Sequence, residues 1–213
     1  MSTRPAITAA AARGCSATLQ GGLAGLKPGA TTLKPGATTP RPRAIARRAR
    51  AEDADAVYRL IEHYAAQGLL LPRTEEDVRA NIDHFLALSL GGRVVGCVAL
   101  EPYGSDLAEI RSLAVAPEHA GGGRGARLVR FALAVAKRRR IARVFAVTHA
   151  PEFFERLGFA RTERQAITEK VERDCRTCPK QASCALTALV FTVLPGRAAV
   201  LPIVGARSVS APA

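Results

Sequence analysis

The sequence predicts an α+β fold: a mixed, mostly antiparallel central sheet flanked by helices, behind a disordered N-terminal extension. Three observations predict it. Short apolar runs at 85–90, 94–100, 107–115, 142–148 and 187–193 are bounded by turn residues. A strand, a glycine cluster and an amphipathic helix follow one another between Arg111 and Val129. The first 43 residues carry a tandem heptapeptide, Leu26–Thr32 copied as Leu33–Thr39, and read as low complexity.

The extension is basic. No acidic residue precedes Glu52, whereas nine Lys/Arg do, which leaves 22 basic against 18 acidic residues in the remainder. Much of the net charge of +13 is therefore N-terminal. An acid-free, Arg-containing start suits a nucleic-acid or organelle-targeting arm. A bland extension is favoured, because no apolar core or stacking aromatic accompanies the charge. Nucleic acid is accordingly not expected as a partner. The apolar stretch near Ala185–Leu194 is too short for a bilayer and Arg197 follows it, so no membrane helix and a cytoplasmic location are expected.

The domain is expected over 44–193, with a tail over 194–213. Ala44–Arg50 forms a first strand. Asp53 or Asp55 caps a helix with Val57, Leu60, Ile61 and Tyr64 on one face. Thr74 with Asp77 caps a second, short helix. Phe85–Leu90, Gly91-Gly92 and Val94–Leu100 make a hairpin. Leu107–Val115 is the next strand; its period of two puts Leu107, Glu109, Arg111, Leu113 and Val115 on one face. The helix after the glycines buries Leu128, Val129, Ala132, Leu133 and Ala136, with Arg127, Arg130 and Lys137 opposite. Ala142–Thr148 is a buried strand. Pro151–Leu157 is a short helix stopped by Gly158, and Thr187–Val193 is the last strand.

Gly121, Gly122, Gly123 and Gly125 sit at the mouth of a helix. Backbone N–H groups and the positive end of the helix dipole there suit a phosphate. Neither a Walker Gly-Lys-Ser/Thr nor a complete Gly-x-Gly-x-x-Gly is present. The stretch Leu113-Ala-Val-Ala-Pro117 with Ala120-Gly-Gly-Gly-Arg-Gly125 resembles the coenzyme A pyrophosphate loop of the GNAT acetyltransferases. Ala120 departs from it, standing where Arg or Gln is usual. The resemblance implies the GNAT fold over 44–193, acetyl-CoA as cosubstrate, and cosubstrate binding by Leu113, Ala114, Val115, Ala120, Gly121, Gly122, Gly123, Arg124, Gly125 and Ala126.

Four further pieces narrow it: Ala66–Arg73, Gly96–Tyr103, Ala108–Val115 and Val144–Phe159. Together they resemble the acetyltransferase domain of N-acetylglutamate synthase, which opens arginine biosynthesis. The Cys-containing segment from Glu172 to Cys184 is similar to the tail of its short, single-domain bacterial form. The amino-acid-kinase domain that carries arginine feedback in the long form has no counterpart here, so feedback is not implied. The implied function is transfer of acetyl to the α-amine of L-glutamate. The alternatives are another small amine or amino acid such as glutamine, or a non-enzymatic, basic nucleic-acid-binding protein. A homodimer is left open.

The chemistry assigns roles. The α-amine is mostly protonated at neutral pH and needs a base. Glu109, a carboxylate on an otherwise apolar strand near the loop, is the candidate; the alternative is a Glu109–Arg111 ion pair at the sheet surface. A dicarboxylate substrate wants cations. Arg73 stands where the family places a glutamate-binding arginine, and Arg111 and Lys170 are weaker candidates. Phe153 and Phe154 cannot protonate a thiolate, so Thr148 is the nearest candidate acid. Five cysteines without a secretory signal argue for free thiols. Cys175-x2-Cys178-x5-Cys184, with His149 or Asp174 as fourth ligand, is the weak zinc alternative; no metal is expected.

Overall fold

The computed structural model describes residues 43–178, 181 and 184–195. The extension over 1–43 lies outside the described residues up to residue 42, and so does most of the 194–213 tail.

Seven strands form one sheet in the order β1-β2-β3-β4-β5-β7-β6. They are β1 (Ile45–Arg48), β2 (Phe85–Leu90), β3 (Arg93–Pro102), β4 (Leu107–Val115), β5 (Arg143–Thr148), β6 (Ala160–Thr162) and β7 (Thr187–Thr192). Every neighbouring pair is antiparallel except β4 with β5. The helices are α1 (Ala54–Ala65), α2 (Glu75–Ala80), α3 (Arg124–Arg138), α4 (Pro151–Glu155) and the short α5 (Thr168–Lys170), which runs on as a π turn over Val171–Cys175. The expected mixed sheet with flanking helices is present. The π turn was not legible in the sequence.

Strand alternation builds two cores. Leu86, Leu88, Val98 and Leu100 face Leu128, Val129, Ala132, Val135 and Ala136 of α3. Phe85, Ala87, Cys97 and Ala99 face Val57, Leu60 and Ile61 of α1 and Val78 of α2. Burying each of the larger aliphatic side chains is worth about 1.5–3 kcal/mol. The α2 cap is as read: Asp77 N–H donates to Thr74 Oγ1 at 3.1 Å. The α1 cap is not. Asp53 makes no cap bond to the helix; its carboxylate accepts from Arg47 at 2.5 and 2.9 Å and from Arg50 N–H at 2.8 Å. The Arg47 hydrogen bonds hold Asp53 below the usual carboxylate range despite burial, because they favour its charged form.

The single face read for β4 is overturned. Cys97 pairs with Ala114 and Ala99 with Arg111, so Ser112 and Leu113 together oppose Val98. This is a β-bulge, and Ser112 takes φ 49° within it. One inserted residue reverses the parity of the strand. Leu107 lies with Tyr103 and Phe145, whereas Leu113 and Val115 pack on the α3 side with Ile110. Glu109 and Arg111 therefore face away from Leu113 and Val115. The Cys97 thiol donates to the Ser112 carbonyl at 3.6 Å, and burial pushes that thiol up to about 12.

Gly96, opposite Val115, is where the strands admit no side chain. An added Cβ would meet Ala114 O at 3.0 Å and Leu128 Cδ1 at 3.2 Å. Gly96→Val is expected to destabilise the fold by about 1–3 kcal/mol through overpacking. A urea midpoint equal to wild type would show that the bulged pair gives way freely.

Candidate active site

β4 and β5 pair only from Leu107–Glu109 to Arg143–Phe145. Beyond that they diverge, and a cavity of about 1570 Å³ opens between them. Val115 at the end of β4 is tied to α1, whose Tyr64 hydroxyl donates to its carbonyl at 2.6 Å.

The glycine loop forms one wall. Gly121, Gly122 and Gly123 have φ of 80°, 57° and 72°, left-handed values that L side chains rarely adopt. This run delivers the chain into α3 at Arg124. Gly125 and Ala126 lie in the first helical turn, where N–H groups have no intrahelical acceptor. The Arg124 guanidinium folds back to donate to His119 O at 3.1 Å. A Cβ on Gly125 would touch Phe153 at 3.6 Å, so Phe153 walls the loop while Phe154 is core. Of the ten residues assigned to cosubstrate binding, the cavity gathers all but Gly122, which is set back from it.

The opposite region is a buried polar cluster built on Glu109, which is 3% exposed. Its Oε2 accepts from the Tyr103 hydroxyl at 2.8 Å and from Lys170 Nζ at 2.9 Å, with Arg111 Nε at 3.5 Å. Asp174 Oδ2 accepts from Lys170 at 2.5 Å and competes with Glu109 for the single Tyr103 hydroxyl proton, with Tyr103 Oη 2.6 Å away, and Arg111 Nη1 lies 3.5 Å from it. Burial alone would raise Asp174, but the bonds from Lys170 and Tyr103 outweigh it and hold the carboxyl below its usual range. Burial, with the Glu109 charge beside it, pushes the Tyr103 phenol well above its usual value, so Tyr103 is a neutral donor. The Glu109–Arg111 contact exists, yet inside the protein rather than at its surface.

Glu101 stands directly across the ladder from Glu109. Arg173 Nη2 donates to its Oε1 at 2.9 Å. Arg73 Nη2 approaches its Oε2 at 3.6 Å. Arg73 also donates to Asp77 at 2.7 Å and lies over the Phe85 ring at 5.6 Å. Arg73 is thus paired with Asp77 and Glu101, Arg111 and Lys170 share Glu109 and Asp174, and all three cations line the cavity. Thr148 lines it too, and its Oγ1 accepts from Ala150 N–H at 3.0 Å, which leaves its proton free to be donated.

Tyr103, Glu101 and Arg173 were not singled out from the sequence. Asp174 was weighed only as a metal ligand, whereas its carboxylate is committed to Lys170 and Tyr103. A signal existed for it: Lys170 and Asp174 stand at i,i+4. Among the described residues, no group of three or more His, Cys, Asp or Glu could hold a metal ion.

The sequence profile of the Acetyltransferase (GNAT) family matches residues 48–159. The chain belongs to this family. An uncharacterised N-acetyltransferase of Chlorobaculum tepidum is 39% identical over 145 residues, 68% of this chain and 94% of that protein. An amino-acid acetyltransferase of Mycobacterium tuberculosis is 38% identical over 133 residues, 61% of this chain and 76% of that protein. Among solved structures, the N-acetylglutamate synthase of Neisseria gonorrhoeae, complexed with coenzyme A and N-acetyl-glutamate, superimposes with a TM-score of 0.65 at 29% identity. That match covers 71% of this GNAT chain but only 35% of the Neisseria enzyme. A Mycobacterium tuberculosis protein in complex with CoA superimposes at 0.60 with 30% identity, 70% of this chain against 99% of that one. This GNAT chain is therefore an acetyltransferase. No helix among its described residues is long and apolar enough to cross a membrane.

Proposed function

We propose that this enzyme transfers acetyl from acetyl-CoA to the α-amine of L-glutamate by direct attack on the thioester. The observation that carries the reading is one cavity with two unlike ends. Left-handed glycines and a helix mouth stand at one end. A buried carboxylate ringed by cations stands at the other. The first suits a diphosphate; the second suits an amine beside carboxylates. Relatives named amino-acid acetyltransferase and the neighbour complexed with N-acetyl-glutamate support the same acceptor.

Glu109 takes the proton of the amine. Its donors converge on Oε2, which leaves Oε1 for the acceptor side. The acyl carbon then passes from sulfur to nitrogen, and Thr148 supplies a proton to the departing thiolate or water does so. A thiol of ordinary pKa near 8.5 is already a fair leaving group. Arg73 and Arg111 meet the substrate carboxylates, and Lys170 sets the charge of the cluster from within.

The test follows thiol release from acetyl-CoA with a panel of amino acids. Glutamate is expected to give the highest kcat/KM, above glutamine and aspartate. A preference for another acceptor would replace the substrate and keep the enzyme class. Arg73→Ala is expected to raise KM for glutamate about tenfold or more, the cost of losing a charge-assisted hydrogen bond of about 1.5–3 kcal/mol. Its KM for acetyl-CoA should stay within twofold or so of wild type. Loss of both together would mean that Arg73 serves the fold through Asp77 and Glu101 instead.

A further inference from the structure

Three sulfurs line the cavity and take no part in acetyl transfer as read above: Cys175, Cys178 and Cys184. Backbone hydrogen bonds relate the described residues of this segment. Cys178 N–H donates to Cys175 O at 3.2 Å, Gln181 N–H to Cys178 O at 3.0 Å, and Cys184 N–H to Gln181 O at 3.4 Å. The three are not equivalent. Cys178 is exposed, while Cys175 and Cys184 are half-buried. Among the described residues, Cys184 is the one of the three that accepts a hydrogen bond from a guanidinium, that of Arg164, which lines the same cavity. Burial raises both half-buried thiols. At Cys184 the bonds from the Leu186 backbone and Arg164 outweigh it and bring the thiol below its usual value; at Cys175 burial wins and the thiol stays protonated. A sulfur that is cationically paired yet open to a cavity is the setting of a reactive thiolate.

We propose that Cys184 is a thiol–disulfide exchange site for small disulfides that enter the cavity, the disulfide of coenzyme A among them. The coenzyme A part rests on the function proposed above. The Cys184 thiolate attacks one sulfur of the disulfide, and the S–S bond breaks. One half stays on Sγ as a mixed disulfide. The other leaves as a thiolate and takes a proton from water. The small disulfide is the oxidant, and no other reactant is needed. Cys97 is not a competitor, because burial keeps it a thiol.

The full chain is incubated with oxidised glutathione or with coenzyme A disulfide and acid-quenched at intervals. Modified cysteines are assigned by peptide mass spectrometry before and after dithiothreitol. Cys184 is expected to be modified first by both, reversibly. Arg164→Gln should slow its modification about tenfold, the loss that follows from a smaller thiolate fraction, while Cys178 keeps its rate. Arg164→Lys, which keeps the charge, should retain most of the rate and guards against a folding defect. Modification of Cys178 or Cys15 ahead of Cys184, or an unchanged Cys184 rate in Arg164→Gln, overturns the proposal. Reaction with oxidised glutathione but not with coenzyme A disulfide upholds Cys184 and counts against the coenzyme site.

Discussion

Glu109→Gln is expected to lower kcat by a factor of about 10²–10⁴, the range for removing a positioned general base, with KM for glutamate changed far less. The substitution is close to isosteric. The Tyr103 and Lys170 donors still find an oxygen, and the side chain stays in a 3% exposed position. What disappears is the negative charge and the capacity to take a proton. The rate deficit should persist at every pH at which the free amine is scarce and narrow at high pH, where deprotonated glutamate reaches the site by itself. Circular dichroism matching wild type separates this from unfolding. A variant with wild-type kcat across the pH range would remove Glu109 from the chemistry and leave it as a member of a structural ion cluster.

Lys170→Met acts on stability first. The Lys170 side chain is 9% exposed and touches both Glu109 and Asp174. Removing the ammonium leaves two carboxylates facing one another, with Arg111 at 3.5 Å from each and Arg173 Nε 3.7 Å from Asp174. Breaking a buried pair in this way costs about 3–5 kcal/mol. The pH dependence has a definite sign. Asp174 is held below its unfolded value, so its stabilisation is complete above that value and is lost as pH falls through the folded one. Without Lys170 the folded value moves back toward the unfolded one, so the part of the acid-side loss that comes from Asp174 shrinks. Asp53 serves as an internal control: its low value comes from Arg47, so its own acid-side contribution is the same in both proteins. Urea unfolding at a series of pH values measures both effects. An acid limb that coincides with wild type would mean that Arg111 and Tyr103 hold the carboxylates without help.

Much of the site was legible because it is local. The glycine cluster, the helix after it and the Thr74 cap are each written within a few residues, where backbone chemistry alone decides the outcome. Glu109 was legible as an oddity, a charge in an apolar strand. Its neighbours were not. Tyr103 lies across a turn from β4, and Lys170 and Asp174 come from a segment about 60 residues away. No period connects such positions. The face of Leu113 and Val115 was misread for a related reason: a period of two holds only while the ladder is regular. The extra residue at Ser112 is visible only from the partner strand, since a bulge is a property of two strands and not of one.

By itself the sequence determined the elements, the two-sided sheet and the phosphate-suited loop, because propensity, alternation and glycine geometry act over one or two turns of chain. Tertiary structure alone decided where β4 and β5 part, which way Glu109 faces, and that Lys170 and Tyr103 meet its carboxylate. Those outcomes depend on register and on burial, and both are fixed only when distant segments pack together.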